Sequence, residues 1–85
     1  MSNINGTNIL IYINMEEDKE LKKRISDNLR VLRAKLRISQ EYLAEKAEIS
    51  PKYLTQIENE KVNPSILILF KLAKVLNVTV NDLIY

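Results

Sequence analysis

QEYLAEKAEISPKYLTQIEN, residues 40–59, is the stretch whose reading decides the fold. Leu43, Ala44 and Ala47 recur at helical spacing in its first half, and Leu54 and Ile57 do so in its second. Between them, Ser50-Pro51 is a helix start in chemical terms. The serine hydroxyl can accept from an orphan backbone N–H, and proline suits the first helical position because its missing N–H is not needed there. The spacing therefore predicts two short helices, Gln40–Ala47 and Pro51–Asn59, joined by a tight turn. The second leaves Lys52, Thr55 and Gln56 on one outward face, a polar face free for a partner.

Working outward, Leu21, Ile25, Leu29, Leu32 and Leu36 share one face of a first helix predicted from about Glu16 to Leu36. After the motif, Asn63-Pro64 reads as the cap and first residue of a fourth helix that runs to about Leu76, with Ile66, Leu69, Leu72, Ala73 and Leu76 inward. A short fifth helix, about Val80–Ile84, is capped near Thr79. The expected fold is all-α, five helices around one core, over residues 15–85. Residues 1–14 differ in composition: asparagine-rich, uncharged, and containing the only glycine, Gly6. Their apolar run Ile9–Ile13 has strand propensity, and three readings stay open: a tail, a short strand that pairs across a dimer or covers a partner, or a leader ahead of a start at Met15.

Eighty-five residues allow one small domain with a modest core. Cysteine is absent, so neither disulfides nor thiolate metal sites contribute, and a reducing cytoplasm is the natural compartment. Histidine is absent too, which removes the commonest general base and a leading metal ligand together. No glycine-rich phosphate loop exists, so the expectation is a non-enzyme without cofactor or metal. Ile9–Ile13 is too short to span a membrane. The net charge is +2, with basic residues concentrated between Lys19 and Arg37, whereas the motif itself carries Glu41, Glu45, Glu48 and Glu58 against Lys46 and Lys52. Attraction to a polyanion must then come largely from the first helix and the loop at Lys61.

Five linked blocks carry a family resemblance: LRVLR at 29–33, SQEYLAEKA at 39–47, ISPKYLTQIEN at 49–59, NPS at 63–65 and LAKVLNVTVNDLI at 72–84. In this order and spacing they resemble the helix-turn-helix domain of the lambda-repressor/Cro type, also called XRE-like. The resemblance implies a sequence-specific DNA-binding transcriptional regulator, a homodimer on a partly palindromic operator of double-stranded DNA, with residues 51–59 in the major groove. Lys52 can reach guanine O6 and N7, Gln56 can bond adenine N6 and N7, and the Thr55 methyl can meet a thymine methyl. Gln40 resembles the family glutamine that bonds a phosphate and helps to orient the recognition helix. Asn59, Lys61 and Asn63 fall in the loop that follows the DNA backbone in similar proteins, and Tyr53 either bonds a phosphate or packs on the preceding helix. Arg30 with Lys35 or Arg37 are further backbone neighbours. Arg33 and Glu58 stand where similar proteins hold an ion pair, implying a structural salt bridge.

The chain departs from the family pattern in one consistent way. Arg37, Glu48 and Glu60 occupy turns where glycine is common. A non-glycine residue in a left-handed conformation costs roughly 1–2 kcal/mol, so these turns are expected to be strained or differently shaped. The fourth helix is also more apolar than one buried face requires, since Leu67, Ile68 and Val75 add a second stripe. With Leu83, Ile84 and Tyr85 these residues are the expected dimer seam. The alternative is an antitoxin or protein–protein adaptor on the same fold, with that stripe and Ile9–Ile13 meeting a protein partner.

Overall fold

In the computed structural model, which describes the backbone of residues 4–85 and the side chains of residues 17–85, five helices follow one another along the chain. They are α1 (Ile4–Leu36), α2 (Gln40–Ala47), α3 (Pro51–Glu58), α4 (Ile66–Leu76) and α5 (Val80–Ile84). The α1 helix begins earlier than the expected Glu16. The backbone of Ile9–Ile13 is therefore helical and not the short strand considered from the sequence, while the side chains of residues 4–16 lie outside the described ones.

The core forms where the apolar stripes of all five helices converge. Ile25 and Leu29 of α1 meet Leu43, Ala44 and Ala47 of α2, Leu54 and Ile57 of α3, Leu69, Leu72, Ala73 and Leu76 of α4, and Leu83 of α5. Each fully buried leucine or isoleucine contributes about 1.5–3 kcal/mol of transfer free energy. Leu21 and Leu32 flank this core partly buried, but Leu36 and Ile66, both expected inside, are exposed. Leu36 is the last residue of α1 and Ile66 the first of α4, so each stands at a helix end.

Four helices begin on a hydroxyl cap. Ser39, Ser50 and Ser65 each accept from the backbone N–H three residues on, and Thr79 forms a capping box with Asp82. The cap of α4 is therefore Ser65, not Asn63 as the Asn63-Pro64 pair suggested. Pro64 lies buried ahead of the helix, and Asn63 donates from Nδ2 to Asp18 of α1.

Helix ends are closed by a repeated device. Arg37, Glu48, Glu60 and Asn77 all take left-handed backbone, with φ of 57°, 62°, 61° and 60°. Beside each, the next residue's N–H reaches five residues back: Ile38 to Arg33, Ile49 to Ala44, Lys61 to Gln56 and Val78 to Ala73. These are Schellman closures, and Ile38, Ile49 and Val78 also pack on the core, the apolar contact that accompanies the motif. The three glycine-poor turns thus keep the left-handed shape that glycine would have supplied, and they carry its conformational cost.

Candidate nucleic-acid interface

The motif is built around a carboxylate with no solvent exposure. Glu58 closes α3 at 0% side-chain exposure, and Arg33 of α1 meets it with two parallel bonds, Nε to Oε2 at 2.8 Å and Nη2 to Oε1 at 2.9 Å. The expected pair is present, and its bidentate form is the strong arrangement for guanidinium and carboxylate. Arg33 also donates from Nη1 to the Ile38 carbonyl, at 3.1 Å, which fixes the turn into α2. Burial alone would push the Glu58 carboxyl up; the bonds from Arg33 and Gln40, with the charges of Arg33 and Arg30, outweigh it and hold the group below its ordinary value. The Arg33 guanidinium is correspondingly raised, chiefly by its bond to Glu58.

Gln40 is the hinge between the two motif helices. Its Nε2 donates to Glu58 Oε1 at 2.8 Å, and its Oε1 accepts from Thr55 Oγ1 at 3.0 Å. The order is dictated by chemistry, because an ionised carboxylate only accepts and so must face the amide nitrogen. One Nε2 hydrogen remains beyond these two bonds for an outside acceptor. Thr55, read from sequence as a base contact, spends its hydroxyl on Gln40, leaving its methyl as the part that can meet a base.

The Glu58 main-chain carbonyl accepts from Ser26 Oγ and from Arg30 Nη2, the latter at 2.6 Å. Arg30 Nη2 also reaches Asn59 Oδ1 at 3.1 Å. Arg30, expected beside the DNA backbone, thus ties α1 to the start of the loop, and Asn59 is its acceptor. Asn63 is held to Asp18 at the far end of the same loop. Between these anchors Lys61 is exposed.

Sequence reasoning missed this second use of Ser26, Arg30, Asn59 and Asn63. The available signal was the helix end itself, since the last carbonyls of α3 lack helical partners and need donors from elsewhere.

The outward face of α3 presents exposed Pro51 and Lys52 and partly buried Gln56, one turn apart. Tyr53 is partly buried and packs against the core. Among the described ion pairs, Lys52 and Lys61 have no carboxylate partner, so both charges are available to an outside anion.

Of the six expected seam residues, Leu83 is fully buried, and its carbonyl accepts from Asn28 Nδ2 at 2.8 Å. Ile68, Val75 and Ile84 are partly buried against their own core. Leu67, at 59% exposure, and Tyr85, at 80%, remain outward. Phe70, which the sequence reading did not single out, is also 59% exposed. The second stripe splits because α4 packs with its 69–72–76 face inward, which carries positions 68 and 75 to the edges of the contact and leaves 67 and 70 outside. Among the described residues, no helix is long and apolar enough to cross a membrane.

A helix-turn-helix family model matches residues 29–83. Among solved structures, the chain is similar to the restriction-modification controller protein C.AhdI from Aeromonas hydrophila, at 29% identity and a TM-score of 0.70, over 73% of this chain and 94% of that one. It is similar to the clp gene regulator ClgR from Corynebacterium glutamicum, at 28% identity and a TM-score of 0.71, over 74% of this chain and 67% of that one. A hypothetical transcription factor from Neisseria, NHTF, aligns at 25% identity and a TM-score of 0.75, over 80% and 78% of the two chains. Comparison with curated proteins gives no match. With its motif geometry and a match over most of its length, the chain belongs to the XRE-type helix-turn-helix family of DNA-binding transcription regulators, which are not enzymes.

Proposed function

We propose that this protein binds a partly palindromic operator as a homodimer, placing α3 of each copy in successive major grooves. The observation that carries the reading is the α3 face itself: Lys52 and Gln56 point outward from a helix whose far end is pinned by Arg33, Gln40, Ser26 and Arg30. A helix fixed that firmly can present side chains to base edges in one register, which direct readout requires. Lys61, Asn63 and the free hydrogen on Gln40 would meet phosphates, with Asn59 and the Tyr53 hydroxyl beside them. Two copies would read half-sites about 34 Å apart. Binding there would occlude a promoter or bring the protein against polymerase. The likeness to a restriction-modification controller and to a clp gene regulator supports a compact regulator of this kind.

The test is fluorescence anisotropy on the duplex just upstream of the protein's own gene, against a shuffled duplex, at two salt concentrations. Salt-dependent binding that prefers the native fragment is expected. Gln56→Ala should cost about 1–3 kcal/mol on the operator alone, whereas Lys61→Ala should weaken all sequences alike. Equal losses on operator and shuffled DNA for Gln56→Ala would overturn the readout role. The reading as an antitoxin or adaptor is favoured by one observation, the exposed apolar face of α4, and need not exclude DNA binding.

A further inference from the structure

The α4 face opens onto a groove of about 630 Å³ between α4 and α2. Its floor is apolar, with Leu67 and Phe70 from α4 beside Ala47 and Val75. Its rim is basic. Lys46, Lys71 and Lys74 stand against the one carboxylate of Glu48, and none of the three lysines has a carboxylate partner among the described ion pairs. Lys46 Nζ instead sits 5.5 Å from the centre of the Tyr42 ring. None of the residues expected to touch DNA lines this groove.

We infer that this groove docks an acidic amphipathic helix of a protein partner. Three physical arguments select that occupant. Leu67, Phe70 and Lys74 lie three, four and seven residues apart on α4, about 10 Å of helix, which matches the i, i+3, i+4, i+7 stripe of a second helix laid alongside. A second copy of this chain fits poorly, because an isologous contact would bring six lysines together with only two Glu48 carboxylates, and unbalanced like charges across an interface cost several kcal/mol. A nucleic-acid strand would satisfy the lysines and stack its bases on Phe70 or Tyr42, but it brings no aliphatic side chains to cover Leu67. An acidic helix supplies both, with apolar side chains on the floor and carboxylates at Lys46, Lys71 and Lys74.

The experiment is an NMR titration of the ¹⁵N-labelled full chain with a synthetic helical peptide, leucine and phenylalanine on one face and glutamate on its flanks. The same peptide with lysine for glutamate is the control. Saturable shifts confined to the groove residues are expected with the acidic peptide only. In the double variant Lys71→Glu, Lys74→Glu, affinity for the acidic peptide should fall roughly tenfold or more, and the lysine peptide should gain affinity. Leu67→Ser should weaken both. All three positions lie outside the fully buried core, and a thermal melt of each variant is the check that it folds. Equal binding of the two peptides, shifts centred elsewhere, or no saturation would overturn the proposal. So would self-association that Leu67→Ser abolishes, which would assign the groove to a second copy, or displacement of the peptide by single-stranded DNA.

Discussion

A carboxylate that loses all contact with water at a helix end must recover its hydration from the protein, and Glu58 does so through Arg33 and Gln40 while its carbonyl is met by Ser26 and Arg30. Removing one partner leaves the other charge stranded. Arg33→Ala should therefore lower stability by about 3–5 kcal/mol, read as a drop in the urea midpoint. A loss below about 1 kcal/mol would mean that water enters and replaces the pair. The same site sets a pH dependence. Because the folded protein holds the Glu58 carboxyl below its ordinary value, the unfolded chain binds the proton more readily, and stability rises with pH across that window. The contribution is fully present above the ordinary glutamate range and is lost as pH falls through the lowered folded value. Urea midpoints from about pH 6 to about pH 3 should converge for wild type and Glu58→Gln. A constant gap would show that the carboxylate does not titrate in this range.

At the scale of the element, four closures of one type terminate α1 to α4, three of them on residues that pay a left-handed cost. Glu48→Gly should raise stability by about 0.5–1 kcal/mol, since the Cβ clash disappears while the greater freedom of glycine in the unfolded chain offsets part of the gain. For a domain of this size that corresponds to a few degrees in Tm, at roughly 4–8 °C per kcal/mol. Glu48→Ala, which keeps the Cβ, should bring no such rise, and equal behaviour of the two variants would locate the effect in the lost charge instead. The positions of these turns were legible as Arg37, Glu48 and Glu60 standing where glycine is common, but their shape was not. A local cost of this kind does not say whether the chain bends around it or bears it; the packing of Ile38 and Ile49 on the core decides that it bears it.

For the whole molecule, we propose the end of α5 as the contact surface of the proposed homodimer. Tyr85 and Ile84 lie there beside Leu21, with Glu17, Glu20 and Arg24 around them. Arg24 there is paired with Glu20, so the patch carries little unbalanced charge against a second copy, whereas the groove on α4 sets three lysines against one carboxylate. On the proposed homodimer reading, Tyr85→Asp should shift sedimentation equilibrium toward monomer and lower affinity for the proposed operator at least tenfold, through loss of the second half-site. A variant that stays dimeric would place the dimer contact elsewhere.

The sequence by itself determined that there are five helices, though not the start of α1 at Ile4 or the cap of α4 at Ser65, together with the position of the motif and most of the core, and the family resemblance added the Arg33–Glu58 pair. Those features rest on local periodicity, hydroxyl caps and one buried charge that demands a partner. The core position of Leu83, the exposure of Ile66 and Phe70, the use of Gln40 and Thr55 on each other, and the role of Arg30 in holding the loop were decided only by tertiary structure. Each depends on how a helix is rotated about its axis or on which orphan carbonyl lies within reach. Rotation is set by the sum of all neighbouring side chains, which no short stretch of sequence contains.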